Sequence, residues 1–596
     1  MPIRGVGPRR ARALLVVASL GALVAVGCST DETGLPTGPA PQTTAPAAGA
    51  GELGRAEYPV PGGARVVSPS GDNAAAGTLQ APWRTLAHAV AQSPARSTVV
   101  LREGTYRESV QVYRKALTIQ PYPGERVVLS GSDVVGGWTP DAGDFVRRGW
   151  TPSFPRTPDA ASSAVTPQAP LAGFPELAFV DGVPQRQVGS RAEVVPGTFF
   201  VDDGADAVYL GVDPAGRRVE LSARAWGLYL TGAHDSVVGG IGVRHFATPS
   251  SDIAALRAYA DRVQLERLVV EDNAQSGISV IGTDTQVRSS TLYRNGQLGI
   301  HGLHADGLRV TQNVINGNNA ERFDMGYQSG GLKVVKSRRL RFDGNIVRDN
   351  IGHGLWVDQS SYDVVMSNNT AQRNAAAGLH LEVSARGVLA GNVSTDNGET
   401  GILIVESHGV DVWNNTALYN RWRDLDILDN DRTSSNLAAA EHDRRWPLPN
   451  PEITWDVRDI SVRNNVIGGG ARNLPVFRVD DVTHVRSYAD MGVTSDYNAF
   501  YRRDPSVGWL TLFSQEQGVL VAETLGEHRQ VNRQDQNSAT VDGPVNPWVT
   551  DARAGDFRVP PGAPNRLGAA LPARVAEALR RSAGERMPIG PLQAPR

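Results

Sequence analysis

Four consecutive stretches in the middle of the chain begin with Gly-Leu or Gly-Ile and end in asparagine. They read GLKVVKSRRLRFDGNIVRDN (331–350), GLWVDQSSYDVVMSNNTAQRN (354–374), GLHLEVSARGVLAGNVSTDN (378–397) and GILIVESHGVDVWNNTALYN (401–420). Each holds two or three short strand patterns separated by turn residues, with no room for a helix. Such a repeat predicts coils that stack on one another, each strand pairing with its counterpart one repeat away.

The repeat extends on both sides of these four stretches, with earlier copies beginning at Gly277 and Gly299. Asparagines recur at matching positions, and because asparagine tolerates left-handed turns we expect them to form side-chain ladders. One column holds Asn313, Asn345, Asn369, Asn392, Asn415 and Asn465, a second holds Asn318, Asn350, Asn374, Asn397 and Asn420, and serines align at Ser337, Ser360, Ser384 and Ser407. The predicted fold is all-β, a right-handed parallel β-helix (solenoid).

The parts outside the repeat predict an N-terminal helical cap and an inserted small β module. The amphipathic stretch WRTLAHAVAQ (83–92) suits a helix that covers the open first coil, and a helical pattern near 572–581 is predicted to close the other end. Residues 138–225 lack the repeat and show hairpin-type turns. The predicted organisation is a lipoprotein signal peptide (1–28), a flexible tether (29–56), the N-terminal cap and first coils (57–137), the inserted β module (138–225), the β-helix (226–545) and a C-terminal cap (546–596).

Composition and the N-terminus bear on location and partners. A formal charge of -3 from 59 basic and 62 acidic residues gives no electrostatic reason to expect nucleic acid. The single cysteine, Cys28, excludes an intramolecular disulfide framework and follows a basic stretch and an apolar run. This pattern resembles a bacterial lipoprotein signal. We therefore expect a monomer that is exported and lipid-anchored through Cys28 to the outer face of the cell membrane, or secreted if the cysteine is incidental.

Two sets of segments resemble known carbohydrate-active families. The segments VSPSGDN (67–73), APWRTLAHAV (81–90), REGTYRESV (102–110) and ALTIQPYPGERVVLSGS (116–132) resemble the N-terminal part of family 9 polysaccharide lyases and related β-helix proteins. The segments GLWVD (354–358) and GLHLEVS (378–384) resemble the W-x-D and E-V coils of glycoside hydrolase family 120, a β-helical xylosidase family with an inserted β module. The likeness in fold spans 65–545, whereas the enzyme-specific likeness rests on these two coils.

Strand alternation places a group of polar residues on one outward, solvent-facing surface of adjacent coils: Lys333, Trp356, Asp358, His380 and Glu382, with His301 from the coil before. Asp358 and Glu382 occupy the same position of neighbouring coils, about 4.8 Å apart by strand spacing. That suits the ~5 to 5.5 Å between the carboxyl groups of a retaining glycosidase. One of the two should have a raised pKa. The family 120 resemblance implies that Asp358 is the nucleophile and Glu382 the acid/base. The alternative is a pair of solvated surface carboxylates, steadied by Lys333 and His380.

Neighbouring segments supply candidates for binding a poly- or oligosaccharide. Trp356 could stack on a sugar ring, or could instead be covered by a loop. An extra loop at 321–331 would bring Tyr327, and an excursion at 429–456 would bring Arg444 or Arg445. Trp422 is a further candidate.

Two other classes of function remain open. A polysaccharide lyase acting on a uronate polymer would use a lysine base, here Lys333, together with calcium, for which the acidic run Asp424, Asp426, Asp429 and Asp431 offers oxygen ligands. No compact aspartate cluster adjoins Lys333, which counts against a lyase. A non-catalytic surface lipoprotein that binds glycan or cell wall would need no apposed carboxylates. For the glycosidase we expect no metal and no cofactor.

Overall fold

The chain winds into a stack of coils, and each coil contributes one strand to each of three long sheets. The structure is a computed structural model that describes residues 51–157, 164–470, 474–504, 506, 510–515, 518–551, 555–558, 560 and 567–590. The predicted signal peptide, Cys28 and the tether as far as residue 50 lie outside this range. Each sheet has 13 strands, and sequence-adjacent coils are neighbours in every sheet. The predicted all-β parallel β-helix is confirmed.

Successive coils add parallel strands to the three sheets in chain order, except that the last strand of sheet two, Gly518–Ala522, runs antiparallel to Thr511–Gln515. Sheet one contains Arg65–Val67, Ser97–Leu101, Leu117–Pro121, Val237–Gly239, Gln264–Glu266, Gln286–Arg288, Arg309–Thr311, Arg338–Asp343, Ser361–Ser367, Ser384–Ala390, His408–Trp413, Arg458–Arg463 and Thr494–Asp496. Sheet two contains Val110–Tyr113, Leu228–Thr231, Ala254–Tyr259, Ser276–Val280, Leu298–Leu303, Gly330–Val335, His353–Asp358, Leu379–Glu382, Ile402–Val405, Leu425–Asp429, Phe477–Asp481, Thr511–Gln515 and Gly518–Ala522. Sheet three contains Gly104–Tyr106, Val127–Ser130, Gly242–Arg244, Val269–Glu271, Thr291–Tyr293, Val314–Asn316, Ile346–Arg348, Thr370–Gln372, Val393–Thr395, Thr416–Leu418, Val466–Gly468, Ala499–Arg502 and Ala539–Asp542.

An aliphatic core runs along the inside of the stacked coils. In sheet two, Leu332 pairs with Leu355 and Leu355 with Leu379, and all three are fully buried. The alternation of the strands therefore points these residues inward and their sequence neighbours outward, as predicted. This one continuous cluster of buried apolar residues, which also includes Ile402, stabilises the stack and fixes the register of the outward residues.

Asparagine ladders join the coils at two turns. Asn369 donates from its side-chain nitrogen to the Oδ1 atom of Asn392 (3.0 Å), and its own Oδ1 accepts from the side chain of Asn345 (2.9 Å). One ladder contains Asn313, Asn345, Asn369, Asn392, Asn415, Asn465 and Asn498, and the other contains Asn273, Asn295, Asn318, Asn350, Asn374, Asn397 and Asn420. Both predicted columns are confirmed and extend further than predicted.

The serine column differs from the prediction at one position. The backbone N–H of Ser337 donates to the hydroxyl of Ser361 (3.1 Å), and Ser361 pairs with Ser384 across the strands. The aligned serine in this coil is therefore Ser361, and the assignment of Ser360 was wrong. The cause is a longer turn, in which both Gln359 and Ser360 adopt positive φ angles where the other coils have one such residue.

Among the described residues, three α-helices accompany the sheets. Helix α1 (Leu86–Gln92) buries Leu86, Ala89 and Val90 in the main core over the first coils, as the predicted cap requires. Helix α2 (Leu525–Asn532) contacts the strand Gly518–Ala522 at the other end of the stack, where Leu525 joins the core. In the part of the chain that the structure describes, none of these helices is long and apolar enough to cross a membrane.

Helix α3 (Ala573–Leu579) lies on the side of the solenoid and does not close its end. It packs against the strands Ser361–Ser367 and Ser384–Ala390 of sheet one, and the hairpin Leu567–Ala570 and Arg586–Pro588 accompanies it. The prediction that this helix covers the last coil was wrong. The physical reason is an outward apolar patch, which includes Val388 and Trp413 and is covered by the helix.

The inserted module is a separate eight-stranded sheet between the early coils. Its strands are Ser132–Val134, Thr139–Asp141, Asp144–Arg148, Ala178–Val180, Val183–Gln187, Thr198–Asp202, Ala207–Leu210 and Val219–Ser222, with a 3₁₀ turn at Arg191–Glu193. The module has its own apolar core, and the Arg107–Glu220 ion pair (2.9 Å) attaches it to the solenoid. Beyond this sheet, Val165 packs with Phe323, so the module helps to position the loop at 321–331.

Candidate active site

The outward face of sheet two carries the predicted site residues in two adjacent columns. The register pairs His301 with Lys333, Lys333 with Trp356, and Trp356 with His380. Asp358 and Glu382 end their strands, two residues after Trp356 and His380. Each directly follows one member of the Val357–Leu381 pair. Asp358 and Glu382 are therefore neighbours on adjacent strands, whose backbones lie at the ordinary spacing of about 4.8 Å.

Apart from the half-buried Glu382, these residues are buried, which corrects the prediction of a solvent-facing surface. Lys333, Asp358 and His380 are each only 5% exposed and Trp356 only 3%. Loops cover the outer face of the sheet and leave a cavity of about 610 Å³. The residues that line it include Ala164 from the inserted region, Tyr327 and Gln328 from the loop at 321–331, and Arg432 and Glu441 from the excursion at 429–456. Strand alternation identifies outward residues but does not show what packs over them.

Asp358 has a cation at one carboxylate oxygen and a backbone donor at the other. The ammonium of Lys333 lies 3.0 Å from Oδ2, and the N–H of Gln359 donates to Oδ1 (2.6 Å). Burial, followed by the negative charge of Glu382, raises the pKa of Asp358 to about 6 against the lowering effect of Lys333. The two carboxylates therefore interact electrostatically, and the pair keeps a proton at higher pH than an isolated aspartate would.

Glu382 has its own cation, which comes from the excursion. Arg432 donates from Nη2 to Oε1 of Glu382 (2.6 Å), and the indole N–H of Trp356 donates to Oε2 (3.1 Å). Arg432 also contacts the fully buried Glu406 (2.5 Å). Burial raises the pKa of Glu406 to about 8 against the lowering effect of Arg432, and this arginine contacts both Glu382 and Glu406.

Trp356 is held between its neighbours in the column. The Lys333 ammonium lies 3.3 Å from the centre of its ring, and the His380 ring stacks on it at 5.1 Å. Because Lys333 and His380 belong to the strands on either side, they cover opposite faces of the indole. Trp356 therefore positions Glu382 through its N–H and has no free face for a sugar ring, which corrects the stacking hypothesis.

Burial favours the neutral form of His301 and His380. Burial lowers the pKa of His380 well below its usual value, and lowers that of His301 to about 4 with a further contribution from Lys333. His301 lines the cavity and its Nδ1 contacts the hydroxyl of Ser279 (3.1 Å). His380 lies with Nε2 3.4 Å from Glu382. A neutral imidazole can donate or accept one hydrogen bond without adding charge to the site.

The other predicted binding residues separate into two groups. Tyr327 lines the cavity, and its backbone carbonyl accepts from Lys333 (2.7 Å). Trp422, Arg444 and Arg445 are not among the residues that line the cavity. Arg445 instead pairs with Asp306 of the solenoid (3.1 Å) and so fastens the excursion to it. The excursion was identified from the sequence, but its residue at the pair is Arg432, which no spacing or motif distinguished from the other arginines.

The acidic run does not form the calcium site that a lyase would need. Asp424 accepts from the side chain of Asn420, Asp426 pairs with Arg478 (2.7 Å) and Asp429 pairs with Arg486 (2.6 Å). Asp431 is exposed. Over the described residues, no three His, Cys, Asp or Glu side chains form a group that could hold a metal ion. The carboxylates of this run serve separate structural contacts.

Comparison with known proteins agrees with the fold. Residues 254–417 match the family described as "Right handed beta helix region", which agrees with the predicted handedness, and residues 69–112 match a family described as "Protein of unknown function (DUF1565)". An uncharacterised protein of Bacillus subtilis, YwoF, is 44% identical over 73 residues, which cover 11% of this chain and 16% of that protein. The pectate lyase PEL9 of Emericella nidulans is 38% identical over 77 residues, 12% of this chain and 19% of that protein. The chain thus spans less than a fifth of the length of these curated relatives.

One solved structure is similar over most of the chain. It is described as the complex structure of XylC with xylose, and it superposes with a TM-score of 0.60 at 16% identity over 82% of this chain and 87% of that chain. This likeness shows the fold. The chain is therefore a right-handed parallel β-helix protein, similar to proteins that act on carbohydrates.

Proposed function

We propose that this protein is a carbohydrate-active enzyme, specifically a retaining glycoside hydrolase, in which Asp358 is the nucleophile and Glu382 the acid/base. The observation that carries the proposal is the pair of carboxylates on adjacent strands of one cavity wall, each with its own cation. The family 120 resemblance of the same two coils supports the roles. The substrate class is an oligo- or polysaccharide, and the xylose complex of the similar structure makes xylosides the first substrates to try.

The proposed reaction has two steps and needs no group beyond the pair and water. In the first, Glu382 gives its proton to the glycosidic oxygen while a carboxylate oxygen of Asp358 attacks the anomeric carbon, so the leaving group departs as an alcohol. In the second, Glu382 takes a proton from water, the water oxygen attacks the anomeric carbon, and the ester to Asp358 breaks. Arg432 is placed to stabilise the carboxylate that Glu382 becomes after the first step.

The contacts of Lys333 favour a hydrolase over a lyase. Its ammonium meets the Asp358 carboxylate, the Tyr327 carbonyl and the face of Trp356, and all three stabilise the positively charged form. A lyase base would have to be the neutral amine. Lys333 is therefore proposed as the cation that keeps Asp358 ionised for attack.

The test combines inactive variants with rescue by azide, using 4-nitrophenyl glycosides with xylosides first. Asp358→Ala and Glu382→Ala should each lower kcat/KM by about 10³-fold or more. Azide should restore Asp358→Ala by attacking the substrate directly, giving a glycosyl azide of inverted configuration. In Glu382→Ala, azide should attack the covalent intermediate and give a product of retained configuration.

Asp349→Asn is the matched control, because this carboxylate pairs with Arg373 (2.7 Å) at an exposed turn and does not line the cavity. Its activity should stay within about twofold of the wild type. Hydrolysis that survives both alanine substitutions would overturn the assignment. Products that absorb in the ultraviolet, as unsaturated uronates do, would point to the lyase instead.

The location of the protein is proposed from the sequence alone, as an exported enzyme anchored through a lipid on Cys28. Growth of the producing bacterium with a labelled fatty acid should label the wild-type protein and leave Cys28→Ser unlabelled. The Cys28→Ser variant should also appear in a soluble extracellular fraction. Equal labelling of both proteins would contradict the lipid anchor.

A further inference from the structure

The residues that line the cavity are more deeply buried at one end, called the closed end here, than at the other, called the open end. At the closed end lie Gln275, Gln297 and His301, which are 3%, 5% and 6% exposed. At the open end lie Tyr327, which is half exposed, and Lys336 and Glu441, which are half-buried. A sugar chain that enters such a cavity puts its terminal unit at the closed end, so the remainder of the chain extends through the open end.

Asp358 and Glu382 lie on the side of the open end. Both are the last residues of their strands, and Gln359 of the following turn accepts at its carbonyl from the backbone N–H of Lys336 (2.9 Å). Arg432, the partner of Glu382, belongs to the same excursion as Glu441. The oxygen that Glu382 would protonate is therefore close to this end, and the leaving group would pass Lys336 and Glu441.

Lys336 and Glu441 differ from the other charged residues of the cavity wall. Lys333 pairs with Asp358 and Arg432 with Glu382. By contrast, within the described part of the chain the side chains of Lys336 and Glu441 form no ion pair, either with each other or with another residue, and no side-chain hydrogen bond is present at either. They are thus a donor and an acceptor at the open end with no partner in the protein.

The backbone around both residues is nevertheless firmly positioned. Arg445 donates to the carbonyl of Lys336 (2.6 Å) and pairs with Asp306 (3.1 Å), which joins the excursion to the turn of Lys336. Beside Glu441, the ring of His442 stacks on Trp455 at 4.4 Å. Fixed backbones that present unpaired charged groups are what a binding site for polar ligands needs.

We propose that Lys336 and Glu441 form the leaving-group subsite, where Lys336 donates to and Glu441 accepts from hydroxyl groups of a second sugar. The inference rests on the proposed glycosidase function and deepens it, because it makes a saccharide, and not an apolar aglycone, the preferred leaving group. Hydrogen bonds between charged side chains and hydroxyls favour such a ligand, whereas an aryl group cannot make them.

The test compares two substrates with the same terminal sugar: the 4-nitrophenyl glycoside that the wild type hydrolyses and the disaccharide of that sugar. Lys336→Met and Glu441→Gln should each lower kcat/KM for the disaccharide by about tenfold, mostly through KM, because each removes one charged hydrogen bond. Both variants should hydrolyse the aryl glycoside within about twofold of the wild type. The control is Arg339→Met, an exposed cation three residues beyond Lys336 that does not line the cavity, and it should change neither substrate.

The outcomes separate the two proposals. Equal losses on both substrates, or no loss on the disaccharide, would overturn the subsite while leaving the glycosidase intact. A wild type that cleaves the aryl glycoside but not the disaccharide would also overturn only the subsite. A wild type that hydrolyses none of the 4-nitrophenyl glycosides and none of the matching disaccharides would overturn the proposed function and the subsite with it.

Discussion

The asparagine ladders and the carboxylate pair show how the same coil geometry has opposite consequences for different side chains. In both, a side chain meets its counterpart one coil away at the ordinary strand spacing. An asparagine amide is both donor and acceptor, so each member of the ladder satisfies the next, as Asn369 does with Asn345 and Asn392. Two carboxylates only accept and repel each other, so Asp358 and Glu382 depend on Lys333 and Arg432.

Breaking an asparagine ladder should have the largest effect on the stability of the fold. Asn369→Ala should lower the free energy of unfolding by about 3 kcal/mol or more, because buried donors and acceptors above and below it lose their partners. Urea denaturation at fixed pH measures this loss. Asn316→Ala, a half-buried asparagine outside both ladders, is the control and should cost about 0.5 kcal/mol or less. Equal losses in the two variants would contradict the role of the ladder.

Removing a cation that contacts the carboxylate pair should shift the pH at which the pair titrates. The active form needs one proton on the coupled pair, so kcat/KM should fall as the pH rises through about 6, where the pair loses that proton. Lys333 lowers that pKa, so Lys333→Met should move the falling limb to higher pH by about one unit while reducing the maximal rate. The pH profile of kcat/KM measures both changes. A limb that moves to lower pH would contradict the proposed electrostatics.

A carboxylate outside the asparagine ladders and the catalytic pair should have the smallest effect on stability. Asp349 meets Arg373 at 2.7 Å, but both side chains are well exposed (39% and 46%). Water screens such a pair, so Asp349→Asn should change the free energy of unfolding by about 0.5 kcal/mol. The same urea titration applies. A loss of stability as large as that of Asn369→Ala would contradict the view that the ladder stabilises the fold through its buried hydrogen bonds.

The site was only partly predictable because two kinds of information contribute to it. Alternation and register follow from a period of two and a repeat of constant length, which is why Lys333, Trp356 and His380 could be placed in one column. The cover over that column comes from segments far away in sequence, such as Ala164 and Arg432. No periodic signal reports those contacts, so burial, the occupied faces of Trp356 and the partner of Glu382 could not be predicted.

The sequence by itself determined the parallel β-helix, the inward and outward faces, the asparagine ladders and the adjacency of Asp358 and Glu382. These features depend on local strand patterning and on contacts between successive repeats, which a linear sequence displays directly. Only the tertiary structure decided that loops cover the outward face and leave a cavity, that Arg432 reaches Glu382, and that Lys336 and Glu441 have no ion-pair partner among the described residues. Such contacts depend on how irregular loops pack on the solenoid, and packing between distant segments leaves no period in the sequence.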